Sequence, residues 1–383
     1  MVRTADRHPP RRYVRSSDEL RTLMRRVGRE SLVAMDTEAA SFHRFVDRIY
    51  LIQLSTSRET AIIDPLTVED VTTLGAVLAD PAIEVVFHDA DYDLRILDRD
   101  YGFHARRLFD TRVAAQLLGE PAVGLAALLE KHVGVAVDKK YQRADWSRRP
   151  LPPEMLEYAA TDTSHLLALR ERLRAELEAR GRLSWAEEEF ARLEGVRWNP
   201  VEANGGAFLR VKGARRLSRR GLAVLRELVP WREAIAAELD RASFRVVSND
   251  ALLALSAAPP HSAEELSQVK GLSPRLVVER GASLLTVIAR GLAVPDKDLP
   301  RFPRAARRAP DPAFDQAVDR LKRVRNQMAE RLNLDPGVLC PNGTLEAVAR
   351  ARPATRDALR DVPELRQWQM ETLGAEFLSA LGS

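Results

Sequence analysis

Ser31-Leu-Val-Ala-Met-Asp-Thr-Glu38 is an apolar run of strand character that ends in two carboxylates one residue apart. On a strand, residues two apart point to the same face, so Asp36 and Glu38 can reach one cation together. Two further acidic clusters follow. His88-Asp-Ala-Asp-Tyr-Asp93 lies at and beyond the end of another apolar run, and Tyr158-Ala-Ala-Thr-Asp162 falls on a helical stretch. Carboxylates gathered by folding repel one another and are costly to desolvate unless something cationic compensates. Paired divalent ions about 3.5–4 Å apart are the usual compensation where phosphodiesters are cleaved. A ligand set of oxygens, with no Cys and no nearby His pair, suits Mg2+ or Mn2+ rather than zinc. The clusters point to a metal-dependent nuclease with Asp36, Glu38, Asp93 and Asp162 as candidate ligands.

Tyr158 stands one helical turn before Asp162 and on the same face. A phenol there can orient an attacking water beside a metal-bound carboxylate; its ordinary alternative is a packed core aromatic. His165, three residues after Asp162, reads as a supporting or surface histidine.

The surrounding pattern is that of an α/β domain. Ser31–Met35, Tyr50–Ser55, Ala61–Asp64 and Ile83–His88 are short apolar runs suited to strands covered on both faces. Helical patterns occupy Val68–Ala79, Tyr92–Tyr101, Thr111–Leu118, Leu125–His132 and Pro153–Ala179, the last with prolines at its start, where a missing N–H costs nothing. Strands followed by interleaved helices predict a mixed sheet flanked by helices.

Past Leu183 the strand signals fade and an internal repeat appears. A shift of 93 residues aligns Leu225 with Val318, Leu228 with Leu321, Arg232 with Arg325, Asn249 with Asn342, Leu252 with Leu345, Leu266 with Leu359 and Gly281 with Gly374, without a gap. An Arg, an Asn and a Gly in register with the apolar pairs imply two copies of one small all-α domain rather than a solenoid. The expected organisation is a nuclease domain over 1–205, helical domains over 214–292 and 311–383, and a Pro- and Arg-rich linker over 293–310.

At 383 residues and 45% hydrophobic content the chain can build two or three packed domains. The single cysteine, Cys340, excludes an intramolecular disulfide and a Cys-based zinc site, which fits a reducing compartment. No apolar stretch approaches the roughly 20 residues of a membrane span. The basic N-terminus lacks the apolar core of a secretory signal, so the expected location is cytoplasmic. Net charge is +4 with a pI near 9.3, which permits a polyanionic partner. Between Gly205 and Arg232 stand eight basic residues (Arg210, Lys212, Arg215, Arg216, Arg219, Arg220, Arg226, Arg232) against one acid, Glu227. A second basic stretch, Arg301 to Arg308, reads as exposed linker. Basic segments flanking an acidic, metal-binding core fit an enzyme that grips a phosphate backbone away from the site of cleavage. Candidate nucleic-acid contacts are Gln53, Arg210, Lys212, Arg215, Arg216, Arg219 and Arg220.

The three clusters resemble the motifs of the DEDD superfamily of 3′→5′ exonucleases: Asp-x-Glu on the first strand, an Asp five residues after a strand-ending His, and Tyr-x-x-x-Asp. Tyr158 four residues before Asp162, with Glu157 where the histidine subclass has its His, identifies the tyrosine subclass. Tyr50-Leu-Ile-Gln-Leu-Ser55, Phe109-Asp-Thr-Arg-Val-Ala-Ala-Gln-Leu-Leu118, and Ala144-Asp-Trp-Ser-Arg-Arg-Pro-Leu151 running into Glu157-Tyr-Ala-Ala-Thr-Asp162 are similar to the bacterial ribonuclease D family. The helical tandem resembles that family's HRDC domains. The resemblance implies a ribonuclease H-like mixed sheet followed by two helical bundles. It also implies an exoribonuclease that releases nucleoside 5′-monophosphates from precursor tRNA and other small structured RNAs. By the same resemblance, Asp36, Glu38 and Asp162 would hold the metal that activates water, with Tyr158 positioning that water. Asp36 and Asp93, the latter directly or through water, would hold the second. Two rival readings remain: a single-stranded DNA exonuclease of the same superfamily, and an inactive scaffold that binds nucleic acid or protein.

Overall fold

Strands that are apolar on both faces need cover on both sides, and here helices supply it. In the computed structural model, which describes residues 11–138, 140–200, 206–303 and 311–382, six strands form one mixed sheet. They are β1 (Arg11–Val14), β2 (Leu32–Ala39), β3 (Ile49–Ser55), β4 (Thr60–Ile63), β5 (Glu84–Phe87) and β6 (Leu108–Asp110), in the order β1-β4-β3-β2-β5-β6. β2 is antiparallel to β3 and parallel to β5, and β3 is antiparallel to β4. The register sets Asp36 opposite Gln53 and Glu38 opposite Leu51, whereas pairing with β5 covers only Leu32 to Ala34. The end of β2 that carries both carboxylates thus outruns the parallel ladder. Residues 1–10 of the basic N-terminus, 201–205 at the end of the first expected domain and 304–310 of the expected linker lie outside the described residues.

The helices of this part are α1 (Ser17–Val27), α2 (Thr72–Ala79), α3 (Asp91–Tyr101), α4 (Thr111–Leu118), α5 (Leu125–Val133), α6 (Pro153–Ser164), α7 (Leu166–Ala179) and α8 (Leu183–Glu194). The stretch expected as one helix over Pro153–Ala179 breaks at His165. Its two halves serve different surfaces: α6 lies over β2, β3 and β4, while α7 packs on α4 and α5. One straight rod could not cover both. No helix among the described residues is long and apolar enough to cross a membrane.

The repeat is real to the residue. The first copy comprises α9 (Arg219–Glu238), α10 (Ser243–Val246), α11 (Asn249–Ala257), α12 (Ala263–Ser267) and α13 (Pro274–Leu292). The second comprises α14 (Pro312–Leu332), α15 (Pro336–Leu339), α16 (Asn342–Ala351), α17 (Arg356–Arg360) and α18 (Gln367–Gly382). Every helix start in one copy maps to a helix start in the other under the same shift. The in-register Arg and Asn explain themselves as one bond made twice. Arg232 donates to Asn249 Oδ1 at 2.8 Å and Arg325 to Asn342 Oδ1 at 2.8 Å, and the same Nη1 atoms reach the Val247 and Cys340 carbonyls. Both guanidinium groups are buried, so Arg232 ties its bundle together rather than facing a ligand.

The chain divides into two compact units. The first joins the residues up to Ala39, Ile49–Trp198 and the second helical copy; the second joins Ala40–Arg48 and the first copy. Within the first unit the second copy is seated on α8. Trp185 stacks on Trp368 with ring centroids 4.8 Å apart. Glu188 accepts the backbone N–H groups of Gln367 (2.7 Å) and Trp368 (3.0 Å), and so caps α18. Glu189 accepts from Trp368 Nε1 at 2.9 Å and Arg366 Nε at 3.1 Å. Trp368, Leu373 and Phe377 belong to the same core as the sheet.

Replacing Arg325 by Ala strips buried acceptors of a charged donor, and is expected to cost about 2–4 kcal/mol. Lys322→Ala, on a more open part of α14, should stay within about 0.5 kcal/mol; denaturant unfolding of the two variants checks this. The docking on α8 also bears on a chain shortened to end near Leu209, just past the nuclease domain expected over 1–205. Loss of the second copy uncovers Trp185, so this shortened chain is expected to lose cooperative thermal unfolding and to bind a hydrophobic dye. A sharp transition at the full-length temperature would refute that.

Candidate active site

The end of β2 and the third turn of α6 meet at a cleft of about 510 Å³ that includes Asp36, Glu38, Tyr158 and Asp162. One carboxylate oxygen from each of Asp36, Glu38 and Asp162 lies within 4.8 Å of the others. The strand places the first two by its two-residue period. α6 is locked against β3 by a buried hydroxyl chain, in which Ser55 Oγ lies 2.8 Å from both Thr60 Oγ1 and Thr163 Oγ1. Thr163 adjoins Asp162, so this chain fixes the height of Asp162 over the sheet.

Asp93 comes from the first turn of α3 and is buried. It accepts a hydrogen bond from Thr37 Oγ1, between the two β2 carboxylates. It stands outside the three-carboxylate group, close enough to raise the proton affinity of Asp36 and Glu38. The turn that delivers α3 is held by Asp110. Its buried carboxylate accepts from the backbone N–H groups of Asp89 (3.1 Å), Ala90 (2.7 Å), Arg112 (2.8 Å) and Val113 (3.2 Å). It caps α4 and ties down the left-handed residue Asp89 (φ 67°) at once. Asp110 was not singled out from the sequence, although an Asp just before a helical run is a start signal.

Burial dominates the electrostatics. Asp36 is pushed well above the usual carboxylate range by desolvation and then by Asp93 and Asp162, and Glu38 by desolvation and then by Asp36, Asp162 and Asp93. Burial lifts Asp162 to about 7 and Asp93 to about 7, the latter despite its bond from Thr37. Tyr158 is driven further from ionisation by burial and then by Asp162, Glu38 and Asp36, so it remains a phenol. Its ring is fixed edge-on to Tyr141 (5.7 Å) and tilted on buried Trp146 (6.2 Å). Three crowded carboxylate oxygens, reluctant to ionise together and without a described cation between them, suit a hard divalent cation that displaces protons.

His165 marks the break between α6 and α7 and is not part of the carboxylate group. Among the candidate nucleic-acid contacts, Gln53 is 0% exposed, a position closed to direct contact. Arg219 donates to the carbonyls of Asp296 (3.2 Å) and Leu299 (3.0 Å). Arg220 donates to the carbonyls of Leu292 (2.9 Å) and Val294 and to the Asp296 carboxylate. Those two arginines fasten the chain after α13, a folding role. Arg210, Lys212, Arg215 and Arg216 are exposed and border a cleft of about 1040 Å³ with α11 in the second unit. Arg215 stacks over Phe302 at 4.6 Å.

Residues 11–178 match the model of the 3′-5′ exonuclease family, and residues 221–288 and 314–381 each match the HRDC domain. Ribonuclease D of Granulibacter bethesdensis is 34% identical over 381 residues, covering 97% of this chain and 93% of that protein. Ribonuclease D of Escherichia coli K12 is 34% identical over 289 residues, 75% of this chain and 76% of that protein. The crystal structure of Escherichia coli RNase D, described as an exoribonuclease involved in structured RNA processing, superposes with a TM-score of 0.71 at 28% identity. It covers 97% of this chain and 98% of its own. With an exonuclease domain, a carboxylate group at its cleft and relatives matched over almost their full length, the chain belongs to the ribonuclease D family and is a 3′→5′ exoribonuclease.

Proposed function

We propose that the protein trims the 3′ ends of small structured RNAs, precursor tRNAs among them, and releases nucleoside 5′-monophosphates. Two divalent ions, Mg2+ or Mn2+, would be held by Asp36, Glu38, Asp93 and Asp162. The observation that carries the reading is the gathering of Asp36, Glu38 and Asp162 oxygens within 4.8 Å beside Tyr158. When bound, such ions lower the pKa of water and offset charge developing on the phosphate and the departing 3′-oxygen. The chain's own part is positional. Tyr158, kept protonated and wedged between Tyr141 and Trp146, offers a fixed hydroxyl to align the attacking water. Asp93, braced by Thr37, completes the negative charge on the far side of β2's two ligands. The family relation and the Escherichia coli relative's action on structured RNA support the substrate class.

The test is cleavage of matched RNA and DNA oligonucleotides with and without Mg2+ or Mn2+. Stepwise release of 5′-monophosphates from the RNA 3′ end, abolished by chelation, is expected; preferred cleavage of DNA or internal cuts would overturn the reading.

Asp36→Asn and Asp162→Asn should each lower the Mg2+-dependent rate by about 10²-fold or more, and retention of a tenth of the wild-type rate would remove them as ligands. The same variants should be as stable as wild type, or more so, in chelator. The sign follows from Asp162. Its folded-state value near 7 lies above the ordinary carboxylate value, so the folded state holds its proton more tightly. Stability is then full at low pH and falls as pH rises from about 4 towards 7. Asp162→Asn lacks this loss, so its melting advantage in chelator should open over that window and level off above it.

Tyr158→Phe should lower kcat with KM nearly unchanged, as for an interaction made mainly in the transition state. An unchanged rate would leave Tyr158 as a packed aromatic.

A further inference from the structure

The cleft presents a problem that its carboxylates do not solve. Besides Asp36, Glu38 and Asp162 it is lined by Asp89 and Asp138, and its substrate is a polyanion. Among the described residues lining it, the basic side chains are Arg112 and His88. His88 accepts or donates at Thr111 Oγ1 (2.9 Å), and burial, followed by the nearby Arg112 charge, pushes it down to about 4. It is neutral at neutral pH. Arg112 is left as the lasting positive charge among the described residues of the cleft.

Arg112 is also built into its place. It sits in the first turn of α4, its backbone N–H bound by Asp110, the carboxylate that also holds the backbone of Asp89. Among the described residues its guanidinium makes one bond, Nη1 to Asp89 Oδ2 at 3.0 Å, with side chains 38% and 58% exposed. A guanidinium carries five donors, and an exposed pair of this kind is worth roughly 0–1 kcal/mol. A phosphate can accept in bidentate fashion from the same fork, two charge-assisted bonds where Asp89 takes one. Asp89 therefore holds the fork at the rim without competing strongly for it.

We propose that Arg112 is a substrate-binding residue that leaves Asp89 to clamp a phosphate of the 3′-terminal segment, and that it grips the same phosphate in the released 5′-mononucleotide. Asp89 acts as its parking partner. The proposal rests on the exoribonuclease reading of this cleft and adds the residue that draws a polyanion into an acidic pocket.

The experiment measures RNA oligonucleotide cleavage in Mg2+, with adenosine 5′-monophosphate as competing product, in wild type, Arg112→Gln, Asp89→Asn and the double variant. Asn keeps the left-handed backbone tolerated at Asp89. Arg112→Gln should raise both KM and the adenosine 5′-monophosphate inhibition constant by about 10-fold or more, with kcat changed less. Asp89→Asn should lower both by about 2- to 5-fold, and should have no effect once Arg112 is Gln. An ion pair that only braced the fold would weaken melting in both variants and would not move KM in opposite directions. KM and inhibition constants unchanged in Arg112→Gln overturn the proposal, as does an Asp89→Asn effect that persists without Arg112, which would mark a bulk charge effect. Either result leaves the exoribonuclease reading intact; absence of RNA cleavage by the wild-type protein would overturn that reading instead.

Discussion

Repulsion among Asp36, Glu38, Asp93 and Asp162 is the constraint on which the first unit is organised. Each of these carboxylates is held by an element that cannot easily back away. β2 is paired on both sides before its carboxylate end runs free of β5. α6 is pinned by the Ser55–Thr163 hydroxyl contact. α3 is delivered by a turn whose backbone N–H groups are gathered by Asp110. The apolar core supplies the driving force, and these polar ties turn it into position. A looser scaffold would relieve the repulsion by letting the carboxylates drift apart.

How the protein treats buried charge elsewhere makes the cleft stand out. Asp64, fully buried, is met by a bidentate Arg149 and by the Tyr13 hydroxyl. Glu84 is met by Arg170, whose guanidinium also lies over the Phe109 ring at 5.4 Å. Arg232 and Arg325 each find an amide oxygen and a carbonyl. Buried ions left without such partners are heavily penalised. Asp36, Glu38 and Asp162 break the pattern, with no pairing cation among the described residues. Unmatched, partly buried charge in a cleft points to function.

Much of this was legible beforehand, and the omissions have physical causes. The central strands carry apolar residues on both faces, so Leu32–Met35 and Val85–Phe87 announced themselves by composition. β1 did not: Arg11 and Arg12 are exposed on an edge strand, where charge guards an open ladder. β6 is three residues long and offers no period to read. α1 carries its start signature as a Ser three residues before a Glu, with Ser16 Oγ accepting from Glu19 N–H, but no long apolar run beside it marks a helix. The site residues were readable because two-residue and four-residue spacings translate directly into shared faces. The partners that set their height and angle (Thr37, Asp110, Thr163) come from separate elements, and a single sequence does not state such pairings. The same holds for Arg219 and Arg220, which read as basic surface until the carbonyls they bind are in view.

The helical tandem shows how one fold can be kept while its surfaces diverge. Both copies retain the buried Arg–Asn bond, which concerns only the interior of the bundle. The last helix of each copy differs. In the first copy α13 is capped by its own Ser273, whose Oγ accepts from Leu276 N–H at 3.2 Å. In the second copy Arg366 stands in that place, and α18 takes its cap from Glu188 on α8. A helix that borrows its cap from another domain is most stable when seated there, since undocking leaves its first N–H groups without those acceptors. The second copy is accordingly a component of the nuclease unit. The first is self-capped at the matching position, and the chain leading into its α9 carries exposed Arg210, Lys212, Arg215 and Arg216 beside an open cleft. The two copies thus keep one interior while the second commits its last helix to apolar closure of the nuclease core.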